Sequence, residues 1–395
     1  MSLSRRAFVR SLGSTAGPRV SGAFVAARGR EAVEAGLGLS AGSQASSDAD
    51  LIRIDSNENP LGPGRHAIDA LTGAFVDAGR YPTNARPSTA DLQAAIARRF
   101  EVEPRQVVLG AGSREVLRNA VIAFTSADRP LVTAAPSFEQ PERLAEHLGT
   151  PVRRVPVDAA GRLDLDGMAA AAKGAGLVFF CNPNNPTATL HPAADVKAFV
   201  AEVRRTSPGT AILIDEAYHD YVTDPAYASA APLALSEPDV FIARTMSKAF
   251  GMAGLRIGYA VGQEATIAKL RRHAMTFNQN SLGVAAAVAA LADEAHIREE
   301  RARNTGQRAS TLEFFRSAGF EPTVSQGNFV FVDLGRPARE FRDACREHGV
   351  LVGRPFPPLD KTHARISIGT ADEMQRAVEV FSVVLGLTSN GRRQA

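Results

Sequence analysis

The chain is short of cysteine, of long apolar runs and of net charge, and each shortage excludes something. Its two cysteines, Cys181 and Cys345, stand far apart, with no CxxC pair and no histidine cluster. That excludes a structural zinc site of the usual spacing and leaves two buried thiols, or one disulfide between them. No metal site is expected. No segment after the N-terminal leader reaches 18 consecutive apolar residues, so no membrane span is expected. The formal net charge of +3 is scattered along 395 residues, which is too little to suggest a nucleic-acid partner. No repeat of fixed period is visible. What is present is an ordinary globular composition, 45% hydrophobic and 22% charged, on a chain long enough for a large domain and a smaller one.

The leader carries Ser4-Arg5-Arg6-Ala7-Phe8, paired arginines with a hydrophobic residue two places on. This resembles a twin-arginine export signal. The apolar stretch from Val20 to Ala27 is short, and Arg10, Pro18 and Arg19 precede it. Export to the periplasm is the expectation, and a basic leader on a cytoplasmic protein is the alternative. Residues 36–50 lack periodicity and read as a linker, so the fold should begin near Leu51.

From residue 107 to 262, short apolar runs alternate with helical patterns. Val107-Val108-Leu109, Leu131-Val132-Thr133, Leu177-Val178-Phe179-Phe180, Ala211-Ile212-Leu213-Ile214 and Val240-Phe241-Ile242-Ala243 are such runs. Continuous apolar strands between helices imply an α/β domain with a mostly parallel sheet covered on both faces. Residues suited to ligand binding follow four of these five runs: Gly112, Asn185, Asp215 and Lys248. In open α/β sheets, ligands bind beyond the carboxyl ends of the strands. These four are therefore expected to converge.

Their chemistry is compatible with one ligand. Lys248 lies among Thr, Met, Ser, Ala and Phe, poor company for a surface loop, and a lysine held there can form a Schiff base. Asp215, directly after a buried strand, needs a partner. A helix cap would be one, and a protonated pyridine nitrogen another. Gly110-Ala111-Gly112-Ser113-Arg114 opens a helix whose N–H groups can hold a phosphate. Thr245 and Arg256 stand close enough in sequence to join it.

Together, Asn182-Pro183-Asn184-Asn185-Pro186-Thr187, Asp215-Glu216-Ala217-Tyr218, Thr245-Met246-Ser247-Lys248 and Gly254-Leu255-Arg256-Ile257-Gly258 resemble the fold-type I pyridoxal-phosphate (PLP) aminotransferases of class I/II. The resemblance spans roughly 51–387. Asn57-Glu58-Asn59-Pro60-Leu61-Gly62-Pro63 and residues 110–115 are most similar to the histidinol-phosphate aminotransferase branch.

The resemblance implies a division of labour. Lys248 would form the Schiff base and move the proton. Asp215 would pair with the pyridine nitrogen, and Asn185 and Tyr218 would bind the ring oxygen. Phe138 would stack on the ring. Gly112, Ser113, Arg114 (by backbone), Thr245, Ser247 and Arg256 would hold the phosphate. Tyr81 would reach the cofactor of a neighbouring subunit, making a homodimer. Arg365, with Arg354, would grip the substrate, and Asn328 would form a pocket wall. An amino donor and a 2-oxo acid would react in turn. Decarboxylation of a phosphorylated amino acid on the same scaffold, or binding of PLP without turnover, are the alternatives.

Three positions depart from the family pattern. Ala188 stands where Gly is usual, a change that a backbone shift can absorb. Phe138 and Leu61 stand where many histidinol-phosphate enzymes have Tyr. The expected layout is a leader and linker over 1–50, a large PLP-binding domain over 81–290, and a smaller α+β domain from 51–80 with 291–390. A long helix over 291–313 would join the two.

Overall fold

The computed structural model describes residues 51–387. The expected export signal and linker lie outside the described residues.

The first strand, β1 (Ile52–Ile54), pairs in parallel with Val350–Val352, almost three hundred residues away. A seven-stranded sheet follows: β2 (Val107–Ala111), β3 (Leu131–Ala135), β4 (Val152–Pro156), β5 (Leu177–Cys181), β6 (Ala211–Asp215), β7 (Val240–Thr245) and β8 (Ile257–Gly262). Their order is β2-β8-β7-β6-β5-β3-β4. Only β8 runs against its neighbours, and all other pairs are parallel. Strands β5 to β8 are buried at every position, as their unbroken apolar runs require of strands covered on both faces.

Side chains alternate between two cores across this sheet. Val132, Val178, Ile212 and Ile242 point into one. Leu131, Leu177, Leu213 and Phe241 point into the other. The helix Ala193–Thr206 covers the first with Val196, Phe199, Val200 and Val203, one stripe of a 3.6-residue period. The helix Ser113–Phe124 covers the second with Val116, Leu117, Ala120 and Val121.

The C-terminal part builds a separate core. Strands β9 (Glu321–Pro322), β10 (Phe329–Asp333) and β12 (His363–Ser367) form an antiparallel sheet, and β11 (Val350–Val352) takes β1 as its partner. These strands fall into two small sheets. Ile52, Ile54, Phe315, Phe341, Val352, Ile366 and Phe381 pack together over them.

The segment 51–80 is divided between the cores. Ile52 and Ile54 join the small-sheet core, whereas Ala67, on the helix Arg65–Gly73, packs in the large-sheet core. The joining helix runs Glu294–Ser317, later than the sequence pattern suggests. Asp293 caps it by accepting the His296 N–H, so Leu291 belongs to the preceding helix, Ser281–Ala292. Ile297 packs in the large core and Phe315 in the small one, so this one helix spans both. Cys181 and Cys345 are free, buried and in different cores, which removes the disulfide option.

Candidate active site

The strand ends bring the expected residues to one cavity of about 670 Å³. Phe138 follows β3, Asn185 follows β5, Asp215 ends β6 and Lys248 follows β7. Arg256 precedes β8, and because that strand is antiparallel its start lies at the same edge of the sheet. Ser113, Arg114, Tyr218, Thr245, Ser247, Arg354 and Arg365 complete the expected lining.

Gly112 makes the anion-binding corner possible. Its φ of 73° is left-handed, and a Cβ there would meet the Arg256 Nη2 at 2.0 Å. The left-handed φ favours glycine, and a side chain there would push the Arg256 guanidinium aside. No side chain caps the helix that begins at Ser113, so its first N–H groups are available to an anion. Arg256 is itself left-handed (φ 57°, ψ 53°), a strained backbone that aims its guanidinium at the corner. Its Nη1 donates to the Ser247 Oγ at 3.2 Å and to the Ala253 carbonyl at 2.8 Å. The Thr245 hydroxyl donates to the Ser247 Oγ at 2.9 Å. Two hydroxyls, a guanidinium and a helix N-terminus thus share one corner, suited to a phosphate.

Asp215 is buried, and among the described residues the donor to its carboxylate is the Ala217 N–H at 3.1 Å. Burial pushes its carboxyl up to about 7, and the Ala217 N–H opposes that shift. A buried carboxylate so poorly matched calls for a cation in the cavity. Lys248 reaches in from the other side, its Nζ donating to the Ser56 carbonyl at 3.2 Å. Burial, with Arg365 and Arg256 nearby, lowers it to about 8. Gly251 braces this loop: its φ is 67°, and a Cβ would strike the Gly62 carbonyl at 2.0 Å. Its N–H donates to the Lys248 carbonyl at 2.8 Å. An amine lowered to about 8, a carboxylate awaiting a cation and an anion corner are the three holds that pyridoxal phosphate needs for its aldehyde, ring nitrogen and phosphate.

On the opposite wall, Arg365 is buried on β12. It donates to the Asn185 Oδ1 at 2.8 Å and to the Asp55 carbonyl at 2.5 Å, while its Nε has no partner among the described residues. Burial lowers it to about 10, so it stays cationic. Seven cationic side chains line the cavity, Arg114, Arg143, Lys248, Arg256, Arg342, Arg354 and Arg365, against the four acids Asp55, Glu58, Glu139 and Asp215. That excess suits anionic ligands.

Other expectations are met differently. Asn328 does not line the cavity. It is fully buried behind it, its Nδ2 donating to the Glu58 carbonyl at 3.2 Å, and so supports the wall indirectly. Arg354 lines the cavity but pairs with Glu139. Tyr81 is exposed away from the cavity of its own chain and stacks on Phe277, ring centroids 4.6 Å apart. Leu61 is exposed and Phe138 lines the cavity. Ala188 has a left-handed φ of 61°, a conformation that favours glycine and costs an alanine roughly 1 kcal/mol.

Glu139, Arg342 and Arg143 line the cavity without having been anticipated. Glu139 follows Phe138 and could have been suspected from its place beyond β3. Arg342 lies on the helix Ala338–Glu347, with no local signal. Glu115 supports from behind, accepting the Ala111 N–H at 2.7 Å and the Met275 N–H at 3.0 Å.

This fold and these holds define a PLP-dependent transaminase of fold type I. The family model for aminotransferase class I and II matches residues 49–381, and the chain belongs to that family. Within it, the chain resembles the histidinol-phosphate aminotransferase branch. It is 37% identical over 339 residues to the histidinol-phosphate aminotransferase of Symbiobacterium thermophilum, covering 85% of this chain and 91% of the relative. The Bacillus velezensis enzyme of that name is 33% identical over 336 residues, covering 85% and 92%. The crystal structure of histidinol-phosphate aminotransferase from Sinorhizobium meliloti in complex with pyridoxal-5'-phosphate superposes with a TM-score of 0.78 at 30% identity, covering 88% of this chain and 95% of that one.

Proposed function

We propose that this aminotransferase takes an amine or amino acid bearing an anionic group, held by Arg365, and passes its amino group to a 2-oxo acid bound in the same place. The observation that carries the reading is Arg365 itself, a buried arginine with a partnerless Nε in the cavity that also holds Lys248. A phosphate or a carboxylate satisfies such a guanidinium equally well. Histidinol phosphate, named in the relatives, is one donor of this kind.

Bound PLP supplies an aldehyde for Schiff-base formation and a ring that accepts electrons. The side chains divide the rest. Lys248, lowered to about 8, is a neutral nucleophile in a substantial fraction of molecules near that pH, and its amine would take the proton from the donor's α-carbon. Asp215 would hold a positive charge on the ring nitrogen in place. Asn185 and Tyr218 would hydrogen-bond the ring oxygen, and Phe138 would stack on the ring. Ser113, Arg114, Thr245, Ser247 and Arg256 would hold the phosphate, with Gly112 giving it room.

The test is a half-reaction: enzyme loaded with PLP and mixed with a single donor, without acceptor. Stoichiometric conversion to pyridoxamine phosphate by histidinol phosphate or by one amino acid supports the reading and names the donor. Release of carbon dioxide without that conversion would point to the decarboxylase alternative instead.

A homodimer is part of this proposal. Leu61, Phe75, Val76, Tyr81, Met275 and Phe277 are large, apolar and exposed, and they come from two chain segments joined by the Tyr81–Phe277 stack. Such a patch favours a partner surface. A second copy would cover it and bring Tyr81 toward the other copy's phosphate corner. Export is proposed from Arg5-Arg6 alone, and a periplasmic fraction lacking the enzyme would refute it.

A further inference from the structure

Arg354 would be a second anion receptor if it were free, but it is already occupied. Its Nη2 pairs with the Glu139 carboxylate and its Nη1 donates to the Pro355 carbonyl at 3.0 Å. Arg143 is a second cation on Glu139, at 3.7 Å. Both arginines of the substrate wall lie over the ring of Phe356, Arg354 at 4.0 Å and Arg365 at 4.6 Å. Glu139 and Arg354 are 23% and 39% exposed, so water screens this pair less than a surface pair. The other Glu139 oxygen is buried with no partner among the described residues. The carboxylate therefore sits on the substrate wall, next to the residue expected to stack on the ring, with its charge spent on Arg354.

We propose that Glu139 is a specificity-determining residue that sets the charge preference of the pocket's distal end. A substrate with one anionic group uses Arg365 and meets a neutralised ion pair beyond it. A substrate with a second anionic group must displace Glu139 from Arg354 before that group is bound. Glu139 thus lowers affinity for dianionic substrates and leaves monoanionic ones almost untouched. The inference rests on the reading that Arg365 holds the substrate's first anion. It concerns charge at a pocket wall and involves no covalent step.

The experiment compares two unreactive ligands of equal length, glutarate and pentanoate, on the PLP-loaded enzyme by calorimetry. Glu139→Gln keeps the shape and removes the charge. It should tighten glutarate about tenfold, the worth of one competing ion pair in a partly buried site, and leave pentanoate unchanged. Adding Arg354→Met to Glu139→Gln should erase the gain. In turnover, the KM for a dicarboxylic 2-oxo acid should fall with little change in kcat. Glutarate affinity that stays level or weakens in Glu139→Gln, or pentanoate that tightens equally, overturns the proposal. Because calorimetry needs no turnover, failure to transfer an amino group would strike the functional reading and leave this result readable. Pentanoate affinity that survives Arg365→Met would show that the first anion binds elsewhere.

Discussion

The Asn57 side chain donates from Nδ2 to the Tyr218 hydroxyl at 3.1 Å. Ser367 fixes the orientation of that amide: its Oγ accepts the Asn57 N–H at 2.8 Å and donates to the Asn57 Oδ1 at 2.7 Å. With Oδ1 engaged as acceptor, Nδ2 is the end left to donate. The Tyr218 oxygen therefore receives a hydrogen bond from the protein and keeps its own proton for the cavity. Ser367 stands two residues after Arg365 on β12, so the strand that carries this cavity arginine also aims Tyr218.

Asn57 is thus a positioning residue. Asn57→Ala should lower kcat by about tenfold, the worth of one buried hydrogen bond. In a Tyr218→Phe background the same substitution should cost much less, since the hydroxyl it orients is gone. Equal losses in both backgrounds would mean that Asn57 acts by packing alone. Steady-state kinetics on the four proteins decides it.

Lys248 gives a pH prediction. Its amine sits at about 8 against the ordinary 10.5. The neutral amine is the nucleophile, so capture of PLP by the cofactor-free protein should accelerate from pH 6.5 upward and level off above pH 9. A rate still climbing steeply at pH 10 would show that burial has not lowered the lysine. Stopped-flow absorbance measures this directly.

Asp215 carries a stability cost. Its folded carboxyl stands at about 7, above the ordinary 3.8. A group raised on folding contributes fully below its unfolded value and loses that contribution as pH rises through the folded one. The cofactor-free protein should therefore pay most for Asp215 above pH 7. Asp215→Asn should raise the Tm of the cofactor-free protein at pH 8, with a smaller gain at pH 5, while removing turnover. An equal change at both pH values would exclude titration of Asp215 as the cause.

The large sheet was legible because each strand is an unbroken apolar run, and a run buried on both faces leaves that trace in sequence. The residues beyond the strand ends were legible for the same reason, Asp215 and Lys248 above all. What escaped depends on pairing across distance. Glu139 meets Arg354 from 215 residues away, and no local pattern announces an ion pair of that span. Asn328 was expected to face the cavity, but β10 turns it behind the Glu58 carbonyl. The start of the long helix moved because Asp293 caps it, a competition that periodicity does not resolve.

Tyr81 can be tested with mixed dimers. Neither a Tyr81→Ala nor a Lys248→Ala homodimer should show full activity. If Tyr81 serves the neighbour's cofactor, a hybrid of the two has one complete site, and mixing should recover activity above both parents. Activity that stays at the average of the parents would place Tyr81 outside the site, or the protein outside a dimer.

The most direct measurement is to trap the cofactor's point of attachment. Lys248 is one of five lysines in the chain. The PLP-loaded enzyme is reduced with borohydride, digested and mapped by mass spectrometry. Modification of Lys248 alone, abolished in Lys248→Ala and prevented by prior exposure to the amino donor, is the predicted result. A label on Lys173, Lys197, Lys269 or Lys361 in its place, or no label at all, would contradict the site.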